Sequence, residues 1–597
     1  MIRTLRPLLA ALATAAVVAC GPNEEGSAGP GDAAAPPAAA GAADLVFVNG
    51  NVYTFAWPEP AGDGTPSPEA PLDAEGRWQG DASAVAVRGG RIVAVGDAEA
   101  VEAWRGPETE TVDLAGATLI PGLVDSHTHL FELGAALSRI SLVDVETEEE
   151  AVALVAERAE GVPAGTWILG QGWDEGAWAD HYPDKRLLSE AVPDHPVYLR
   201  GLHGFAGWTN QAALDAAGID ADTPSPSGGE IRTGPDGAPS GLFLNRAVPL
   251  MDEAVPAPTA AERRGHILAA LRVMAEDGYT AVHEAGTDGP SVEALLSLAE
   301  EDALPLRFYA MLSLRDPALV RRWIERGPKR STDDDRLIVR AVKGYYDGSL
   351  GARGALLLED YSDRPGHRGV AGAEYGFDRA LAEEAMRAGF QLAIHAIGDA
   401  ANRDTLDFYE ATCARAPATC DGRHRIEHAQ VLSPADLPRF AELGVIASME
   451  PPHAVEDKGW AEERLGPDRI LGAYAWRSLR RAGATLTFNA DNPGSDHDIF
   501  YGLHAAITRR DRDGEPPGGW YPEQAVTAEE ALRAYTSWSA RASFLEDETG
   551  TVEVGKRADL TVLDLDPLAV AGEAPAALLD GDVLLTVVDG EIVYARD

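Results

Sequence analysis

"ATLIPGLVDSHTHLFE", residues 117–132, decides how the rest of the chain is read. An apolar run ends at Asp125, and two histidines follow with one residue between them. On an extended strand, positions i and i+2 share a face, so His127 and His129 present two imidazoles to one point in space. A hydrophobic core has no use for such a pair, whereas a metal ion does. A bare H-x-H also arises by chance on a solvated face. The reading therefore turns on whether further ligands appear at matching places downstream.

Working outward, apolar strand-like runs alternate with amphipathic helical stretches such as "AERRGHILAALRVMAEDG" (261–278) and "RALAEEAMRAGF" (379–390). That alternation marks parallel βα units. Eight core strands are expected: "TLIPGLVDSH", "YTAVHEA", "LPLRFYAML", "LIVRAVKGYY", "FQLAIHAI", "RHRIEHA", "GVIASME" and "ATLTFNAD". Eight such units close a (β/α)8 TIM barrel of the α/β class, with its site at the C-terminal strand ends. The strand ends here carry His127 and His129, Lys343, His395, His428 and Asp491. Each residue alone has an ordinary structural explanation, but their joint placement does not.

The flanks are different. "ADLVFVNGNVYTF" and "ASAVAVRGGRIVAVG" alternate apolar and polar residues around NG and GG turns, and "ADLTVLDLDP" and "DVLLTVVDGEIVYA" repeat the pattern at the other end. One small composite β-sandwich, residues 43–118 with 545–597, is expected beside a barrel over 119–544. Strands one and two are about 150 residues apart, far beyond a normal crossover. That stretch predicts an inserted cap subdomain at about 165–255, over the barrel mouth.

The chain has 597 residues and a net charge of −46, from 50 basic and 96 acidic residues. So acidic a surface disfavours nucleic acid and anionic membrane as partners. Residues 1–19, with two early arginines and a short apolar run ending "VVAC", read as a signal peptide, and Cys20 as the lipidated cysteine of a bacterial lipoprotein. A lipid anchor would place the protein in the cell envelope, outside the cytoplasm and at the outer membrane. Residues 20–42 are small and Pro/Gly/Ala-rich, a flexible tether. Cys413 and Cys420 are able to pair in an oxidising compartment.

The stretches "PGLVDSHTHL", "VKGYYDGSLGAR", "LAIHAIGDAA", "RIEHAQ", "FNADNP" and "GTVEVGKRADLTVLD" occur in that order, and through them residues 43–597 resemble the amidohydrolase superfamily in its YtcJ-like, amidohydrolase-3 branch. The resemblance implies hydrolysis of an amide-type C–N bond in a small-molecule substrate. It implies a divalent metal, Zn2+, as one or two ions held by His127, His129, Lys343, His395, His428 and Asp491. By the same resemblance Lys343 would be carboxylated on its amine, which turns a repelled ammonium into an anionic oxygen ligand. A metal in such a site lowers the pKa of water towards about 7, and Asp491 would serve as the catalytic base. Asp496 is the rival base, but it lies beyond the apolar strand.

Several positions depart from the family's pattern. Phe205 stands where a histidine is usual, with His203 displaced by two; Asn245 stands where an acid is frequent; Glu450 replaces a glutamine, leaving His453 in place. Trp173, Trp178 and Trp208 are candidates for lining an apolar substrate pocket, and Arg353 and His453 for substrate contact. For Arg353 the default is a structural ion pair, and His283 and Glu284 are expected to support the site rather than bind metal. The alternatives are a deaminase or cyclic-amide hydrolase on the same site, or an inactive metal-bound, solute-binding lipoprotein.

Overall fold

A computed structural model of the chain describes residues 41–143, 145–173, 182–201, 206–226, 229–330 and 336–596. The predicted signal peptide, Cys20 and nearly all of the tether lie outside the described residues, as do Trp178, His203 and Phe205. Among the described residues no helix is long and apolar enough to cross a membrane.

Eight parallel strands form a nearly closed barrel. In order they are Leu123–Thr128, Tyr279–Thr287, Arg307–Ser313, Leu337–Tyr345, Gln391–Ala396, Arg425–His428, Ile446–Met449 and Leu486–Phe488, hereafter barrel strands one to eight. All eight coincide with apolar runs read from the sequence, because strands buried on both faces are near-continuously apolar. The seam between strands eight and one is closed by a single bridge, Thr128 to Asn492. Asp125 reinforces it: one carboxylate oxygen accepts the His127 N–H at 3.0 Å and the other the Ala490 N–H at 3.3 Å.

The expected first strand is in fact two. Thr118–Pro121 pairs antiparallel with Leu560–Leu563 and parallel with Asn51–Val52, whereas Leu123–Thr128 joins the barrel. The change falls at Gly122, where any Cβ would come within 2.2 Å of Thr280 Oγ1. Only glycine lets the chain cross Thr280 there, so the barrel begins at Leu123 rather than at residue 119.

Around that junction lie a four-stranded sheet of N-terminal strands and a five-stranded sheet that combines both ends of the chain. Leu45, Phe47, Val85 and Ile92 of the first share one apolar cluster with Leu119, Leu560, Val562 and Val587 of the second. Between barrel strands one and two, a six-stranded mixed sheet runs from Ile140 to Asn245. It starts at Ile140 rather than near residue 165, because the helix Glu148–Ala159 buries Ala151 and Val155 in that sheet's own core.

Candidate metal centre

The loops that leave the barrel strands at their C-terminal ends surround a cavity of about 500 Å3. Its floor carries His129, Lys343, His395, His428 and Asp491, and the fully buried His127 lies beside them. Lys343 Nζ is 3.0 Å from His127 Nε2. Asp491 Oδ1 is 3.2 Å from His129 Nε2 and 3.5 Å from His127 Nε2. The rings of His395 and His428 are 4.4 Å apart, and those of His127 and His428 5.1 Å. All six residues read from the strand ends thus converge on one place.

Local sequence explains the convergence. His127 is the last but one residue of the strand Leu123–Thr128, and His129, just beyond it, is the N-cap of the helix Leu130–Leu137. Glu284, from the end of strand two, accepts the Leu130 N–H at 2.6 Å and so fixes the start of that helix. His428 and Asp491 both adopt positive φ, at 72° and 50°. For residues other than glycine this costs about 1–3 kcal/mol each, and such strain gathers where function over-determines the backbone.

The site contains buried polar atoms that the protein leaves unpaired. His395 Nε2, His428 Nδ1 and Asp491 Oδ1 have no aligned hydrogen bond although all are buried; His428 Nδ1 lies 3.2 Å from Glu450 Oε2 without one. Unmet buried groups are rare in folded proteins and call for an explanation. Ligand atoms of His127, His428 and Asp491 all lie within 4.8 Å of one another, and so do those of His428, Glu450 and His453. Imidazole and carboxylate donors so placed fit a divalent ion such as zinc.

Electrostatics point the same way. Burial, and then the neighbouring Lys343, lowers His127 to about 4, so its imidazole is neutral and available as a ligand. Burial also lowers Lys343 to about 8. For Asp491 burial acts upward, but His127, His129 and His428 outweigh it and hold the carboxyl well below its ordinary range.

Glu427 and Arg425 were not read as site residues. Glu427 Oε2 meets His127 Nδ1 at 2.6 Å, and Arg425 donates to both Glu427 oxygens at 2.7 and 2.8 Å. A carboxylate on one ring nitrogen fixes the tautomer and turns the other nitrogen to the centre. The signal was present in "RIEHA", where two charges sit in a strand buried on both faces. Arg425 also contacts His283 Nδ1 at 3.1 Å, which makes His283 a supporting residue.

The predicted substrate contacts fare differently. Trp173 and Trp208 are fully buried in the core of the inserted sheet, their indole N–H groups bonded to the Leu199 and Asp184 carbonyls. Large apolar rings in a small subdomain are what its core is made from, so they pack rather than contact substrate. Arg353 pairs with Asp363 at 2.6 Å, which is the structural role. His453 lines the cavity, with Glu450 3.7 Å from its Nδ1. Asn245 ends a strand of the inserted sheet at positive φ, a conformation asparagine tolerates. Asp496 is exposed and bound to Arg512 at 2.6 Å, and it is not among the residues that line the cavity. Cys413 and Cys420 form a disulfide, with Cα atoms 5.1 Å apart.

Residues 110–594 match the model of the Amidohydrolase family. The chain is 32% identical to the putative amidohydrolase YtcJ of Bacillus subtilis, over 86% of this chain and 96% of that protein. It is 31% identical to an N-substituted formamide deformylase of Arthrobacter pascens, over 93% and 98% of the two chains. The crystal structure of an uncharacterized metal-dependent hydrolase from Pyrococcus furiosus superposes with a TM-score of 0.70 at 28% identity, covering 88% of this chain and 99% of that one.

Proposed function

The chain belongs to the amidohydrolase family, and from that premise we propose that it hydrolyses an amide-type C–N bond in a small substrate. The observation that carries the reading is Asp491, a carboxylate held against two histidines on the floor of an open cavity. Binding a solute needs no base there; hydrolysis does. That a similar protein is named a formamide deformylase supports the type of bond.

Zn2+ is the proposed metal, held by His127, His129, His395, His428 and Asp491 with a carboxylated Lys343. When bound, such an ion polarises a carbonyl and lowers the pKa of water to about 7. The reasoning for Lys343 is electrostatic. An ammonium 3.0 Å from His127 Nε2 would repel a dication, whereas a carbamate adds oxygen donors, and a buried amine is more readily in the uncharged form that takes up CO2. Asp491 accepts the proton of the attacking water at a carboxylate oxygen and passes it to the leaving nitrogen. Glu427, clamped by Arg425, keeps His127 in one orientation throughout.

The proposed location is the cell envelope, through a lipid on Cys20; the "VVAC" sequence supports it. Fractionation with membranes that is lost in Cys20→Ser is the expected result, and a wholly soluble wild type would end that reading. The function itself is tested with zinc-loaded protein on a panel of small amides. Turnover that disappears in Asp491→Asn while zinc is retained is expected. Binding without turnover across the panel, unaffected by Asp491→Asn, would instead identify a solute-binding protein.

A further inference from the structure

On the wall of the same cavity stands Arg315, two residues beyond the end of barrel strand three. Its guanidinium lies over the ring of Tyr345 at 3.9 Å and 5.8 Å from that of Tyr375. It makes no ion pair or hydrogen bond among the described residues. In a chain with 96 acidic and 50 basic residues that is unusual. Nearby Arg353 and Arg464, by contrast, are both paired with Asp363.

Resting on the hydrolase reading, we propose that Arg315 is the anion anchor of the substrate, and that the substrate is a small amide carrying a carboxylate about one peptide unit from the scissile carbon.

Three observations support this. Five N–H donors in a planar fork match a carboxylate bidentately, and the protein supplies no carboxylate of its own. The place of Arg315 over the Tyr345 ring, 3.9 Å from the centroid, already restrains the guanidinium, so less freedom is lost when it grips a ligand. The third is distance. The anchor and the metal ligands share Tyr345: Lys343 Nζ is 5.0 Å from the same ring centroid that Arg315 meets at 3.9 Å. The guanidinium and the lysine nitrogen are therefore within about 9 Å of one another. One peptide unit spans about 3.3–3.6 Å, and a hydrogen-bond length of about 3 Å at the arginine end leaves room for a carbonyl at the ligands. Trp460 and Tyr375 offer apolar walls to whatever side group the substrate carries.

The test separates recognition from turnover. Levulinate has the skeleton of N-acetylglycine with CH2 in place of the amide nitrogen, so it binds but cannot be cleaved; methyl levulinate is its neutral counterpart. Calorimetry on zinc-loaded protein is expected to show levulinate binding about 10- to 100-fold more weakly to Arg315→Gln than to wild type, the scale of a lost hydrogen bond to a charged group. Methyl levulinate should change by no more than about twofold, as for an ordinary surface substitution. Acetate release from N-acetylglycine should lose the same factor in kcat/KM, and release from N-acetylglycinamide should not. Arg315→Lys should restore only part, since a point charge does not reproduce the fork. Equal affinity for levulinate and its ester in wild type, or unchanged levulinate binding in Arg315→Gln, would overturn the proposal while leaving the hydrolase reading intact. If levulinate needs Arg315 but no amide of either charge is turned over, the hydrolase reading falls and the anion site stands.

Discussion

His424 and His428 flank a single barrel strand, one at each end, and the protein treats them oppositely. At the lower end, His424 Nδ1 accepts the Leu392 N–H at 3.0 Å and Nε2 donates to the Thr419 carbonyl at 2.9 Å. Nearby Arg307 spans Asp559 and Asp589 at 2.5 and 2.6 Å and ties strand three to the C-terminal strands. At the upper end Glu427 and Arg425 hold His127, but the groups that face the cavity are less completely paired. Lysine meets histidine at 3.0 Å, and buried ring nitrogens lack aligned hydrogen bonds. Buried polar groups that are paired belong to the fold; those left unpaired call for another explanation, which a ligand of the cavity supplies. The division agrees with the general rule that the lower face of such a barrel serves stability and the upper face chemistry.

The largest effects should come from the upper end and appear in metal and rate rather than in folding. Lys343→Ala is expected to lose nearly all bound metal and all activity. In wild type, reloading of stripped protein should depend on bicarbonate. A fully loaded Lys343→Ala would exclude this lysine as a ligand. Asp491→Asn should lower kcat by about 10^2 to 10^4, the usual worth of general acid–base help, with metal affinity much less affected. Asp496→Asn should be mild, because Asp496 is exposed and paired with Arg512. Collapse in Asp496→Asn with near-normal Asp491→Asn would reverse the assignment.

At the lower end the order inverts. Arg307→Met takes the arginine from buried Asp559, while Asp589 keeps Arg336 and Arg557, and is expected to cost about 3–5 kcal/mol, read as a lower urea midpoint, with metal content per folded molecule unchanged. Adding Asp559→Leu should recover part of the loss, since a buried pair replaced on both sides is often nearly neutral. Loss of metal in a folded Arg307→Met would show that the two ends are coupled and break the comparison.

How much of this was legible in the sequence follows the same divide. The eight barrel strands and the six convergent residues were readable, because a strand buried on both faces is written as an apolar run and a candidate ligand as a polar residue at its end. The break at Gly122 was not, because "TLIPGLVDSH" is apolar on both sides and only the close approach of Thr280 separates the two halves. Trp173 and Trp208 looked like pocket residues because aromatic rings in an insertion fit a pocket or a core equally well; only packing decides. Glu427 and the proposed anchor Arg315 escape a sequence reading for opposite reasons. The first hides inside a strand whose histidine drew attention, and the second sits in a loop with no periodicity to interpret.

The smallest expected effect tests the comparison most closely, because it uses the same residue type at both ends of one strand. Burial lowers His424 to about 4, whereas an unfolded histidine titrates near 6.5. Between those values the unfolded chain binds the extra proton and the folded chain does not, so stability falls as pH falls through that window. Above about 6.5 there is no penalty; below about 4 the loss is complete, at about 1.4 kcal/mol per unit or roughly 3 kcal/mol in total. His424→Gln keeps a donor and an acceptor but cannot titrate. It should be about 1 kcal/mol less stable at pH 7.5, the worth of imperfect hydrogen bonds, and lose less stability on acidification, so the two urea midpoints cross near about pH 5.8, where wild type has lost about 1 kcal/mol. His428→Gln should leave the urea midpoint of metal-free protein almost unchanged and abolish metal binding. Parallel pH profiles for wild type and His424→Gln would mean that another buried group carries the acid sensitivity and that His424 is not the paired counterpart of His428.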